Sequence, residues 1–144
     1  DLESMKSFIK QLIGVKDLTL FCRKPSGQVI REVIKAEIIQ KNDIIILDIT
    51  VDSAAWSMIR SIWSALKLVG SRKLPPDLQS ILSYARKRGM LHPAKPEGLA
   101  LIKVYYKNLS FKIDERSQNR MIKYLKEKIP FHPVYSIMLE LASL

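Results

Sequence analysis

Residues 54–69, Ala-Ala-Trp-Ser-Met-Ile-Arg-Ser-Ile-Trp-Ser-Ala-Leu-Lys-Leu-Val, constrain the fold of this chain more than any other stretch. Ser57, Arg60, Ser61, Ser64 and Lys67 are the only polar positions, and they form a narrow stripe at helical spacing. Trp56, Ile59, Trp63 and Leu66 occupy the opposite side. A helix apolar over so much of its circumference has to be surrounded, so the pattern predicts a central core helix ending at Val69, with Asp52 or Ser53 as its cap. Both tryptophans then belong to the core; the alternative is a platform that stacks bases or docks a partner.

The flanking segments supply the layers such a helix needs. All five glycines and seven prolines fall between periodic segments, where they act as punctuation. Leu2 to Ile13 reads as a helix with Met5, Phe8, Ile9, Leu12 and Ile13 on one stripe and Gly14 as its stop. Leu18–Arg23, Gln28–Gln40 and Ile44–Val51 read as strands, turned at Pro25-Ser26-Gly27 and Lys41-Asn42-Asp43. Pro75-Pro76-Asp77 opens a helix to Arg88, with Gly89 as its C-cap. His92-Pro93-Ala94-Lys95-Pro96 forms a stiff connector. Leu99–Asp114 reads as a β-hairpin around Lys107-Asn108, and helices follow over Asp114–Lys128 and Pro133–Leu144. The prediction is a single compact α+β domain over 1–144. It combines a small antiparallel meander and a β-hairpin with several helices, in the order α-β-β-β-α-α-β-β-α-α.

Charge is distributed unevenly along this framework. Residues 1–52 carry eight Lys/Arg and eight Asp/Glu, whereas 53–113 carry eleven Lys/Arg against only Asp77 and Glu97. A localised surplus makes a directional field that attracts polyanions, so 53–113 forms a basic sub-region suited to RNA or DNA. Within it, Arg86-Lys87-Arg88 ends a helix, Arg72-Lys73 lies in the preceding turn and Lys95 in the connector. In the hairpin, Lys103 faces Lys112 across the strands with Tyr105 beside them and Lys107 at the tip. Like charges directly opposite each other are destabilising, and a polyanion would offset that cost while Tyr105 stacks on a base. The bland alternative is an ordinary solvated strand face. The nucleic-acid contacts expected are therefore Arg72, Lys73, Arg86, Lys87, Arg88, Lys95, Lys103, Tyr105, Lys107 and Lys112. Arg116, Arg120 and Lys123 form a further stripe, read as a solvated helix face.

In the order of its elements, 2–69 is similar to a double-stranded RNA-binding domain, but its second helix opens Ser53-Ala54-Ala55-Trp56 where that family places lysines. The middle segment, two helices and a hairpin, is similar to part of a winged-helix domain.

Catalytic motifs are not visible. His92 and His132 both precede proline, and Cys22 reads as a small core residue. Glu37 and Asp48 would suit a metal-dependent nuclease, but Thr50 stands where such a site requires lysine. The sequence therefore predicts a non-enzymatic protein that contacts phosphates through a basic helix end and hairpin, with no cofactor and no metal. The alternative is a subunit or adaptor, or a homo-oligomer, that associates through the apolar helix at 134–144. One cysteine, no signal-peptide pattern and no apolar run of ~18 residues point to a cytoplasmic setting without a membrane span. The chain starts at Asp1 without Met and reads as trimmed or partial.

Overall fold

The structure, a computed structural model, describes residues 1–88, 91–128 and 134–142. Its contacts divide into two compact units, Asp1–Pro96 and Glu97–Leu144. The fold class is α+β as expected: a three-stranded antiparallel sheet with several helices.

In the first unit, α1 (Leu2–Lys10) leads into β1 (Gly14–Asp17), a 3-10 turn (Thr19–Phe21), β2 (Ile30–Lys41), β3 (Ile44–Val51), α2 (Met58–Gly70) and α3 (Leu78–Arg88). The sheet order is β1-β2-β3. Val33 pairs with Val51 and Lys35 with Thr50, so Ile34 is an extra residue, a bulge that bends β2. The inner face presents Val33, Ala36 and Ile38, and α1 packs on β2 with Met5, Phe8 and Ile9. Helix α2 lies against α1, and of its thirteen residues only Lys67 is exposed. Met58, Ile62, Ala65, Leu66 and Val69 are fully enclosed, as a helix apolar nearly all round must be. Gln11 ties α1 to α3: its side-chain amide donates to the Pro76 carbonyl at 2.7 Å and accepts from the Leu78 N–H at 3.1 Å.

Two local expectations change. The first strand is 14–17, and the apolar run after it coils inward, burying Leu18, Phe21 and Cys22. Asp17 causes the break, since its carboxylate accepts the Thr19 N–H at 3.0 Å and turns the backbone out of the ladder. Helix α2 begins at Met58, five residues later than Ser53. The Asp52 carboxylate is occupied by the N–H groups of Glu32 and Ser53, at 3.2 and 2.6 Å, and pins the end of β3 instead of capping a helix. Ser57 then takes the left-handed conformation, φ +66°. Trp56 falls outside the helix and is 59% exposed, which corrects its assignment to the core; Trp63 packs half-buried against the core.

In the second unit, α4 (Glu115–Lys128) is capped by Asp114, which accepts the Ser117 N–H at 2.9 Å, and α5 (Val134–Ala142) follows. The hairpin expected at 99–114 does not form a ladder: 99–114 holds no strand, although Lys107-Asn108 does turn. Asn108 has positive φ but Lys107 does not, so the turn lacks the double left-handed geometry that matches strand twist. Apolar side chains are exposed on both arms, Ile102 and Leu101 on one and Phe111 and Ile113 on the other; two strands without a covered face are marginal in water. Gly89 as a C-cap, the helix stop at Ile129-Pro130, His132 and the last residues of the apolar terminal helix lie outside the described residues.

Removing volume beneath α2 should be costly and removing it from the open sheet face should not. Leu66→Ala is expected to lower unfolding free energy by about 2–5 kcal/mol. Val15→Ala, at an exposed position, should change it by roughly 0.5 kcal/mol or less. Urea denaturation of the two variants checks this.

Candidate functional site

The polar stripe of α2 holds the segment that follows α3. Ser61, fully buried, donates from its hydroxyl to the Leu91 carbonyl at 3.4 Å. One helical step away, the Arg60 backbone carbonyl accepts the Ala94 N–H at 3.1 Å. The Arg60 guanidinium donates in return to the Ala94 carbonyl at 3.0 Å and to the Ser57 hydroxyl at 3.1 Å. Arg60 is thus half-buried and fixed from two sides, and among the described residues it makes no ion pair with a carboxylate. A cation held in this way, with donors still free, is arranged to meet an anion brought to it, a phosphate or a carboxylate.

The same corner of the first unit continues through Ser57 to Trp56. The Trp56 carbonyl accepts the Arg23 N–H at 3.1 Å, and the Arg23 guanidinium lies 5.2 Å from the centre of the indole ring. The exposed Lys95 follows Ala94 on the clasped connector, and Lys24 follows Arg23. Sequence reading missed Arg60 and Arg23 as site residues. The signal available was the stripe Ser57-Arg60-Ser61, which marked α2's polar side without saying what it would grip.

The residues expected to contact nucleic acid fall in two groups. Arg72 and Lys73 follow the end of α2, Arg72 pairing with Asp1 at 3.1 Å. Arg86 and Lys87 are exposed on α3. Lys87 lines a shallow hollow of about 360 Å³ with Leu74, Pro75 and Tyr84, whereas Arg72 lies against Asp1 and Arg86 near Asp17. Arg88 closes α3, and its side chain lies outside the described set. Lys103, Tyr105, Lys107 and Lys112 are exposed in the second unit, the Lys103 ammonium 4.9 Å from the centre of the Tyr105 ring. The described side chains of α5 from Tyr135 to Leu139 are half-buried.

Most of the aspartates are engaged in structure. Asp17 is held below the usual carboxylate range by hydrogen bonds from Thr19 and Gln28, with nearby Arg86 a smaller cause. Asp77 and Asp114 are lowered by the Ser80 and Ser117 groups they cap. Lys35 bridges Glu37 and Asp48 at 3.3 and 2.9 Å, and both raise its pKa. Burial pushes the Cys22 thiol up, as suits a core residue. Among the described residues no group of three His, Cys, Asp or Glu side chains is placed to hold a metal, and no helix is long and apolar enough to cross a membrane.

If Arg60 secures the connector, Arg60→Ala should release it while leaving the core intact. Loss of a charge-assisted bond of about 1.5–3 kcal/mol should speed amide exchange at Ala94 by roughly tenfold or more, with exchange in α1 unchanged.

The family model described as tRNA pseudouridine synthase matches residues 8–107, which include the clasp, the Arg23–Trp56 pair and the basic side of α3. The chain is 31% identical over 129 residues to tRNA pseudouridine synthase A of Methanocella arvoryzae, covering 89% of this chain and 48% of that protein. It is 28% identical over 135 residues to the Archaeoglobus fulgidus protein of the same name, covering 92% of this chain and 51% of the relative. For the Pyrococcus furiosus protein the identity is 28% over 142 residues, 97% of this chain and 53% of the relative. The chain thus spans about half the length of the curated relatives it matches. These matches overturn the expectation of a non-enzymatic protein, because the family is one of tRNA pseudouridine synthases, and they give DNA no support. With a hundred consecutive residues matched, this chain belongs to the tRNA pseudouridine synthase family.

Proposed function

We propose that the chain takes part in converting uridine to pseudouridine in tRNA, and that its own contribution is to hold the RNA. The match over 8–107 carries this reading, since it spans the elements that build the Arg60 clasp. The conversion is an isomerisation. The bond from the sugar C1′ to N1 of uracil breaks and a bond from C1′ to C5 forms; the C5 proton leaves and N1 takes up a proton. Atoms and electrons balance without a co-substrate.

What such a reaction demands of a protein is mainly positional. A base to be turned about its sugar cannot stay stacked and paired, so the enzyme must grip the backbone on either side and offer the unstacked bases something to lie against. Arg72, Lys73, Arg86, Lys87 and Lys95 of the first unit supply cations for phosphates. Lys103, Lys107 and Lys112, with Tyr105, supply the same combination on the second. These side chains carry no pattern of bidentate donors and acceptors for reading base edges, which favours recognition of RNA shape and backbone. Arg60 is the fixed cation at the heart of the first unit, and its free donors suit an anionic group of the assembled site.

The reading is tested in the cells the protein comes from. With its coding sequence disrupted, at least one tRNA uridine that is normally isomerised should remain unmodified, as read by carbodiimide labelling and primer extension. A tRNA pseudouridine profile identical to that of the undisrupted cells would overturn it.

A further inference from the structure

Trp56 is out of place by the ordinary rules of burial. It directly precedes Ser57 and Met58, both buried, yet 59% of it is exposed. Leaving an indole in water forgoes the favourable burial of a large apolar surface. The backbone that holds it out is itself unfavourable: Ser57 has φ +66°, a left-handed conformation that side chains other than glycine rarely adopt. Strain of this kind persists where the surroundings enforce it, and here they do. The Trp56 carbonyl is fixed by the Arg23 N–H at 3.1 Å, and Arg23 follows Phe21 and Cys22, which are anchored in the core.

The indole is also furnished with charge of one sign. The Arg23 guanidinium lies 5.2 Å from the ring centre, and Arg23 makes no ion pair with a carboxylate among the described residues. Lys24, the next residue in the chain after Arg23, is exposed, with φ +49°. The nearest carboxylate in sequence, Asp52, is turned to the backbone N–H groups of Glu32 and Ser53. An exposed aromatic ring on a fixed backbone, with a guanidinium against it and an exposed lysine next in the chain to that arginine, matches what a single-stranded nucleotide needs. The ring takes the π-face of the base, and the cations take the phosphate next to it. A purely apolar partner would leave Arg23 and Lys24 without counter-charge.

We infer that Trp56, backed by Arg23, is a stacking platform for an unpaired base of the RNA, next to the Arg60 clasp. The inference rests on the reading that the chain binds tRNA, and it adds the place where a base is held. Trp56 is a positioning residue in this role and takes no part in bond making.

Intrinsic fluorescence and binding separate the possibilities. The chain's two tryptophans are Trp56 and Trp63, so Trp56→Phe reports Trp63 alone and its subtraction gives the Trp56 signal. Stacking predicts that a single-stranded oligouridylate quenches the Trp56 emission and that an abasic oligomer of equal length and charge does not. Trp56→Ala should weaken binding of an unmodified tRNA transcript on the order of 5- to 100-fold, while Trp56→Phe keeps most of the affinity. Equal quenching by the abasic oligomer, or equal tRNA affinity for Trp56→Ala and the natural chain, would overturn the platform while leaving RNA binding intact. Should Trp56→Ala fail to fold, by circular dichroism, the quenching comparison on the natural chain decides alone. No tRNA binding by the natural chain at 50 mM salt would sink the RNA-holding role itself, and the platform with it.

Discussion

Helix α2 buries Met58, Ile62, Ala65, Leu66 and Val69 completely, and the rest of the first unit is arranged around that burial. Once its apolar sides are committed to α1 and to the 3-10 turn, the stripe Ser57-Arg60-Ser61 has only one direction left to point. The connector after α3 runs there, and its carbonyls at Leu91 and Ala94 find donors waiting. A buried backbone group without a partner is expensive, so the hydroxyl of Ser61 and the guanidinium of Arg60 both solve a problem of the connector and fix their own positions. The late start of the same helix at Met58 leaves Trp56 outside it and exposed.

From these contacts a division of labour emerges. The sheet, α1 and the interior of α2 are scaffold. Several cations, by contrast, make no ion pair with a carboxylate among the described residues: Arg23 lies over an indole, Arg60 holds a carbonyl and a hydroxyl, and Arg86, Lys87 and Lys95 are exposed. Cations left unpaired retain their charge for a ligand, and it is on these that the proposed hold on RNA rests.

Much of the framework was legible in the chain itself, because it rests on periodicity. The apolar wrap of 58–69, the stripe of α1 and the caps at Asp77 and Asp114 follow directly from residue spacing. What escaped was decided by single hydrogen bonds. Asp17 and Asp52 look like ordinary turn and cap residues, and nothing local shows that one ends a strand early while the other pins β3. Those two bonds moved the first strand and displaced Trp56 from the core. The second unit failed differently: the alternation in 99–114 is that of a strand pair, but Lys107 does not take the left-handed geometry the turn needed. The enzymatic affiliation was beyond local reading altogether. Arg60 stands in the sequence as one polar residue of a core helix, and its partner Ala94 is thirty-four residues away in a proline-bounded connector.

If the cations that the fold leaves unpaired hold tRNA, salt and charge removal must both show it. The measurement is the affinity for an unmodified tRNA transcript and for a DNA hairpin of equal length, between about 50 and 300 mM salt. It compares the natural chain with a variant in which Lys73, Arg86 and Lys87 are changed together to Gln. The expected result is tighter binding to tRNA than to DNA, with log K falling steeply against log salt. The slope should flatten in the variant by about one for each phosphate that is no longer neutralised. Equal affinity for the two nucleic acids, or an unchanged slope in the variant, would contradict this role for the basic side chains.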